Sequence, residues 1–365
     1  MKKIILYFTF CSSLIISSCG KFDAVKFDDN NILSSTNNVV SASDNSSCVD
    51  HDTESAVETN AEISDKKVDS FDPVPVNRDI ELAVEKNSPE DFNINGYFNF
   101  SYDNFNMVYS NEELEKVFDR LDDLCQNTNF QLAFSYENIE SGATVNYNSY
   151  EQFLTCSTIK APYIKSLLAD NIDLNDKITK NYNWAGDTDD DDIVANMDNG
   201  KKFTAKELIE YAIIDSDNTA YMMLHDNYGY ESFNNMQVQL GSNYIIGSDY
   251  IFTQATTSDM LKNYIDIFKF GESSQNGKWL IDLMKNASYN EQIGRALGKK
   301  YDVAQKYGAD SNENAFNDCA ICYADSPFVL CVFTVQTPDD PKSCEIFKSL
   351  AVIFDEINTL LCNKQ

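Results

Sequence analysis

The sequence predicts an α+β sandwich whose sheet is assembled from both chain ends, with an all-helical subdomain inserted between them. Three observations carry this. A helix and a hairpin pattern follow residue 110, three strand-like runs and a helix close the chain, and the long middle is mostly helical in period. Ser110-Asn111-Glu112-Glu113 is a capping box, and Leu114, Val117, Phe118, Leu121 and Leu124 then recur at helical spacing, which predicts a helix over 111–126. Two strand-like runs, 130–136 and 143–147, are joined by a polar stretch ending in Gly142 and read as a hairpin. Near the other end, residues 301–306, 318–323 and 328–336 alternate or run apolar as strands do. Ile346, Phe347, Leu350, Ile353, Phe354, Ile357, Leu360 and Leu361 give the closing helix one apolar face.

What precedes this domain reads as an address and a spacer. Lys2 and Lys3 lead an apolar stretch over 4–16 that is too short to span a bilayer comfortably. It ends in Ile16-Ser17-Ser18-Cys19-Gly20, which resembles the bacterial lipoprotein cleavage box. The expectation is a signal peptide over 1–18, a lipidated Cys19, export, and anchoring at the outer face of the cell membrane. Residues 19–95 are rich in Ser, Asn and Asp without a sustained period, and cannot bury enough apolar area to offset their ordering entropy. They read as a flexible tether. The folded domain takes 96–365, with the helical subdomain over about 158–290; its aromatic start, 96–109, carries no functional reading.

Charge narrows the chemistry. The 365 residues hold 58 Asp+Glu against 28 Lys+Arg, a formal net charge of -30, so binding nucleic acid through basic contacts is excluded. Only two histidines are present, His51 in the tether and His225. Multi-His metal sites are therefore excluded, and a Ser-His-Asp triad would need His225. Chemistry must lean on Ser, Lys, Tyr or carboxylates.

Three groups of residues answer that requirement. Ser157-Thr158-Ile159-Lys160 places a hydroxyl and an amine one helical turn apart, so that a lysine with a lowered pKa can take the serine's proton. A serine at a helix N-terminus also has free N–H groups for a developing oxyanion. Thr204 and Glu207 cap a helix through Leu208, Ile209, Ala212 and Ile213, which delivers Ser216-Asp217-Asn218 as a polar loop between apolar helical runs. Lys306-Tyr307-Gly308 stands at the end of a strand, where a lysine can hold a carboxylate and a glycine lets a ligand approach.

S-x-x-K, S-D-N and K-x-G in this order resemble the class A β-lactamases and the penicillin-recognising serine hydrolases generally. The approach to Ser216 and the Thr256-Thr257 helix start are similar to that family too, and the resemblance covers about 111–363. It implies a three-layer α/β/α arrangement with an antiparallel sheet. It further implies that Ser157 is the acylated nucleophile, Lys160 its base and Ser216 a proton relay to the leaving nitrogen. Asn218 would bond the substrate's amide side chain, Lys306 its carboxylate, and the N–H groups of Ser157 and Ala309 the oxyanion, while Asp217 holds its loop. The implied partner is a small β-lactam or a peptidoglycan stem peptide, met by a monomer that needs no cofactor and no metal.

Two departures bear on turnover. The family's Glu-x-x-Leu-Asn, whose glutamate activates the deacylating water, is missing: residues 219–255 contain one glutamate, Glu231, placed early, and Asp249 reads as a turn residue. Tyr307 replaces the family's Thr or Ser beside the lysine. Acylation machinery is expected to be intact and deacylation impaired. The alternatives are a D-alanyl-D-alanine peptidase or penicillin-binding protein, and a non-catalytic surface module.

Among the remaining residues, Cys125, Cys344 and Cys362 fall on terminal helices where a disulfide is geometrically conceivable. Cys319 and Cys322 point to opposite faces of one strand and read as buried thiols. The acidic run 187–192 lacks the EF-hand glycine and reads as a solvated loop. His225 reads as a core or surface residue, and Trp184 as a candidate wall of the cleft.

Overall fold

The computed structural model describes residues 98–101, 111–183, 192–248 and 250–362. The signal peptide, Cys19, the tether, Trp184, residues 187–191 and Asp249 lie outside the described residues. Those described fall in the unit Asp79–Gln365, the second of two into which the chain divides.

In chain order the elements begin with strand β1 (Phe98–Ser101), helix α1 (Asn111–Gln126), β2 (Leu132–Asn138), β3 (Thr144–Tyr147) and β4 (Phe153–Leu154). The inserted part carries α2 (Lys160–Ala169), β5 (Lys177–Thr179), β6 (Lys202–Thr204), α3 (Ala205–Glu210), α4 (Asn218–Tyr228) and α5 (Glu231–Gln239). It ends with β7 (Gln254–Ala255), α6 (Thr257–Ser273) and α7 (Gln275–Lys285). Then come α8 (Ile293–Leu297), β8 (Val303–Asp310), β9 (Ala315–Cys322), β10 (Phe328–Val335) and α9 (Cys344–Cys362).

Both chain ends do build one antiparallel sheet, in the order β1-β3-β2-β10-β9-β8. Its two faces are separately covered, which is why β9 is buried throughout rather than on alternate residues. Ala133, Ala304, Cys319, Ile321, Val329 and Phe333 join the core shared with the helical insertion. Phe134, Tyr136, Phe316, Cys322, Leu330 and Val332 join the core under α1, α8 and α9. Period-two alternation thus distributes one set of strands between two cores, giving the α/β/α layers.

The structure corrects the sequence reading in several places. Lys306, Tyr307 and Gly308 sit within β8, not at its end. The ladder starts at Val303 because the Lys300 and Tyr301 N–H groups donate back to Leu297 O (2.7 and 3.2 Å), and it continues past Gly308 because β9 supplies Asn317, Phe316 and Ala315 as partners. The aromatic lead-in contributes β1, an edge strand with Phe98 opposite Tyr147. Cys125 and Cys344 are free thiols; the Cys344 sulfur lies 3.5 Å from the Tyr289 hydroxyl. Cys319 and Cys322, by contrast, are free and buried as expected, one in each core.

Phe354 ties α9 to the sheet, with its ring centroid 5.2 Å from Phe134 and 5.0 Å from Tyr136. It is fully buried, so Phe354→Ala should cost about 3–5 kcal/mol. Chemical denaturation would check this, and a loss below about 1 kcal/mol would show that the site collapses around the gap.

Candidate active site

Ser157 lies in a 3₁₀ turn, Cys156–Ile159, that feeds directly into α2 at Lys160. The sequence reading placed it at an α-helical N-terminus. The tighter turn serves the same spacing, since residues three apart eclipse in a 3₁₀ helix. The turn is anchored from below: the Thr155 N–H and hydroxyl both donate to Thr253 O at 2.9 Å, and the Asn317 amide donates to Leu154 O at 2.7 Å. The Tyr264 hydroxyl donates to Thr158 O at 3.2 Å.

On the far side of the cleft, α3 passes into a π-turn, Tyr211–Asp215, and Ser216 closes it in the left-handed conformation (φ 60°, ψ 23°). Asp217 is fully buried and caps α4. One carboxylate oxygen accepts the Ala220 N–H and the other the Val194 N–H, each at 2.7 Å. Asp217 therefore holds the loop, and Ser216 and Asn218 on either side face Lys160. Five described non-glycine residues have positive φ, and three of them are asparagines, which tolerate it. The other two are Cys156 (φ 46°), beside Ser157, and Ser216. Strain stored at two site positions is overcome by the surrounding bonds.

Lys160 and Lys306 are both fully buried and converge on Ser216. Lys306 Nζ donates to Ser216 Oγ at 2.8 Å. Lys160 Nζ stands 3.5 Å from the same oxygen, donates to Asn218 Oδ1 at 2.7 Å, and bonds Ser216 O. Burial pushes Lys306 well below the ordinary lysine range, and the charge of Lys160 pushes the same way. No hydrogen bond joins Lys160 to Ser157, whose hydroxyl is half-buried and unbonded among the described residues.

Gly308 sets the distance between strand and turn. A Cβ there would lie 2.8 Å from Ser157 N and from Thr155 O, and 2.9 Å from Cys156 Cβ. Only a bare Cα lets β8 lie this close to the Ser157 backbone, and Ala309 follows it on the same strand. Tyr307 projects to the opposite face of the sheet, where its ring meets Tyr289 with centroids 4.4 Å apart. Its ring centroid is also 4.5 Å from Lys306 Nζ.

Sequence reasoning missed Phe252. Its ring centroid lies 5.8 Å from Lys160 Nζ and 5.6 Å from the Tyr221 ring, in the loop after α5. Nothing local in the sequence marks it. Glu231 is exposed at the start of α5 and accepts the Tyr230 N–H at 3.2 Å. His225 is buried beside Tyr230, with ring centroids 5.8 Å apart. No cluster of His, Cys, Asp or Glu suited to a metal occurs among the described residues.

Comparison with known proteins gives a consistent picture. The family model of the beta-lactamase enzyme family matches residues 116–356. Solved structures with the same fold include PBP-A (TM-score 0.58, 20% identity, 67% of this chain and 95% of that one). They also include a beta-lactamase from Sphaerobacter thermophilus (0.58, 19%, 68% and 99%) and a class A beta-lactamase from Mycobacterium abscessus (0.57, 20%, 66% and 98%). No curated protein matches the chain by sequence.

Asp318, across from Tyr307, is fully buried; Oδ2 accepts the Ile293 N–H at 3.1 Å and Oδ1 has no hydrogen bond among the described residues. Burial raises its carboxyl to about 7. The folded state thus keeps this proton to higher pH than the unfolded chain, and stability falls as pH rises from about 4 to about 7. Asp318→Asn keeps an acceptor for Ile293 and removes the titration. Its stability relative to the parent should rise between pH 4 and pH 8 by on the order of 4 kcal/mol, read from denaturation at both pH values. A difference that does not change with pH would refute the buried titration.

Proposed function

The chain belongs to the beta-lactamase enzyme family, and from that premise we propose that it is a serine acyl-transfer hydrolase that opens the β-lactam amide through an acyl-Ser157 intermediate and releases it slowly. The observation that carries the reading is the approach of Gly308 to the Ser157 backbone, with two buried lysines converging on Ser216 beside it.

In the forward step Lys160 turns from Asn218 toward Ser157 and takes the hydroxyl proton as Oγ attacks the lactam carbonyl carbon. Crowding of two buried ammonium groups around one oxygen favours a neutral amine in this pair. The carbonyl electron pair moves to oxygen, and the N–H groups of Ser157 and Ala309 hold the oxyanion. Collapse breaks the C–N bond, and the proton reaches the leaving nitrogen through Ser216 Oγ. Lys306 binds the substrate carboxylate. Tyr307 lacks the family's small hydroxyl side chain and packs its ring on Tyr289 and beside the Lys306 ammonium, so the carboxylate is left to Lys306 and Ser216. Asn218 keeps its amide N–H groups for the substrate's amide side chain.

Slow release is supported by what stands near Lys160. Phe252 has no basic atom to activate water, and Glu231 is committed to the start of α5. Loss of a general base commonly costs about 10²–10⁴-fold. The same observation favours a second reading, a D-alanyl-D-alanine peptidase or penicillin-binding protein that stays acylated. One solved structure of PBP-A is an acyl-enzyme complex with penicillin-G. A non-catalytic surface module is the third reading. The N-terminal sequence supports export and lipid anchoring through Cys19 in each case.

Incubation with penicillin G should give a single adduct by intact mass, stable for minutes or longer and absent in Ser157→Ala. No adduct would leave the surface module, and rapid decay with hydrolysed product would refute slow release. In Gly308→Ala the added methyl pushes β8 from the Ser157 turn, so the acylation rate should fall about 10²–10³-fold with the fold kept. An unchanged rate would remove Gly308 from the oxyanion site.

A further inference from the structure

At the end of the sheet away from Ser157, a cavity of about 520 Å³ opens between the β2–β3 turn, the lead into β8, the β9–β10 turn and the C-terminal half of α9. Tyr301 on its wall is seven residues from Gly308, roughly 20 Å along extended chain. A small ligand there does not touch the catalytic residues.

The floor of the cavity is rigid. Buried Asn358 accepts the Tyr136 hydroxyl (2.6 Å) and the Asn138 amide (2.9 Å) and donates to Ser326 O (3.0 Å); Ser326 Oγ donates to Glu140 at 2.8 Å. A buried network satisfied in this way holds its rim in one arrangement. On the wall, Asp355 accepts Lys300 Nζ at 2.6 Å and the Tyr301 hydroxyl at 3.0 Å. Asp325, exposed on the β9–β10 turn, has no hydrogen bond or ion pair among the described residues. The Tyr323 ring lines the side and is held by Phe268 (centroids 5.9 Å apart) and by Lys285 Nζ, 4.5 Å from its centroid.

The lining therefore presents three carboxylates, from Glu140, Asp325 and Asp355, against one ammonium that Asp355 already neutralises. Acceptors outnumber donors, and an anion such as a β-lactam carboxylate is repelled. A fitting ligand is rich in donors, neutral or cationic, and has a C–H face to lay on a tyrosine. The volume suits a small organic molecule. We propose that this cavity binds an amino-sugar ring, with its ammonium at Asp325, hydroxyls at Glu140 and Asp355, and its C–H face on Tyr323.

Calorimetric titration of the full chain with a β-1,4-linked glucosamine tetramer, at about pH 6 where its amines are protonated, tests this. The expected result is saturable binding that persists in Ser157→Ala and after penicillin treatment. Asp325→Asn and Tyr323→Ala should each weaken it about tenfold or more while melting within about 3 °C of the parent. Absence of saturation, unchanged affinity in both variants, or equal affinity for cellotetraose, which lacks the amines, would overturn the proposal. Binding abolished by acylation of Ser157 would assign the sugar to the catalytic cleft and overturn it as well.

Discussion

The rest of the site depends on one close approach: the backbone of β8 at Gly308 lies against the turn that carries Ser157, at a separation that no side chain permits. Two structural bodies have to be held for that contact to exist. The strand is fixed by five antiparallel pairings across a sheet covered on both faces, and the turn by Thr155, Thr253, Asn317 and Tyr264. Each anchor comes from a different part of the chain. The helical insertion is thus placed by the sheet, and the site lies where insertion and sheet meet.

Electrostatics follow from the same geometry. A protein of net charge -30 nonetheless buries two lysines side by side. They are tolerated because Ser216, Asn218 and main-chain carbonyls accept their hydrogen bonds, and because burial favours the neutral amine of Lys306. Among the described residues the buried carboxylates are Asp217, Asp259 and Asp318, and the other acids reach solvent. A local positive field within an acidic molecule needs only that low-dielectric walls surround the pair.

Ser157, Lys160, Ser216, Asn218, Lys306 and Gly308 were legible because each group lies within three or four residues and has a local signature: a hydroxyl–amine spacing, a polar triplet between apolar runs, a glycine in a strand. Tyr307 was legible as a departure but not in its contacts, since its meeting with the Tyr289 ring depends on how the segment before α8 packs against β8. Phe252 was invisible. It reaches Lys160 through a loop of irregular backbone, and no period or motif marks such a residue. The cysteines of the terminal helices show the same limit, for helical position alone does not say which thiols meet.

The sequence by itself determined the layered α+β architecture and carried the serine–lysine spacing, the polar triplet and the strand glycine that mark the candidate site, because composition, periodicity and short spacing are local properties. Only the tertiary structure decided how β8 is placed against Ser157, which way Lys160 points, what ring stands beside it, and where Tyr307 goes. Those depend on contacts between residues far apart in the chain, and packing rather than propensity sets them.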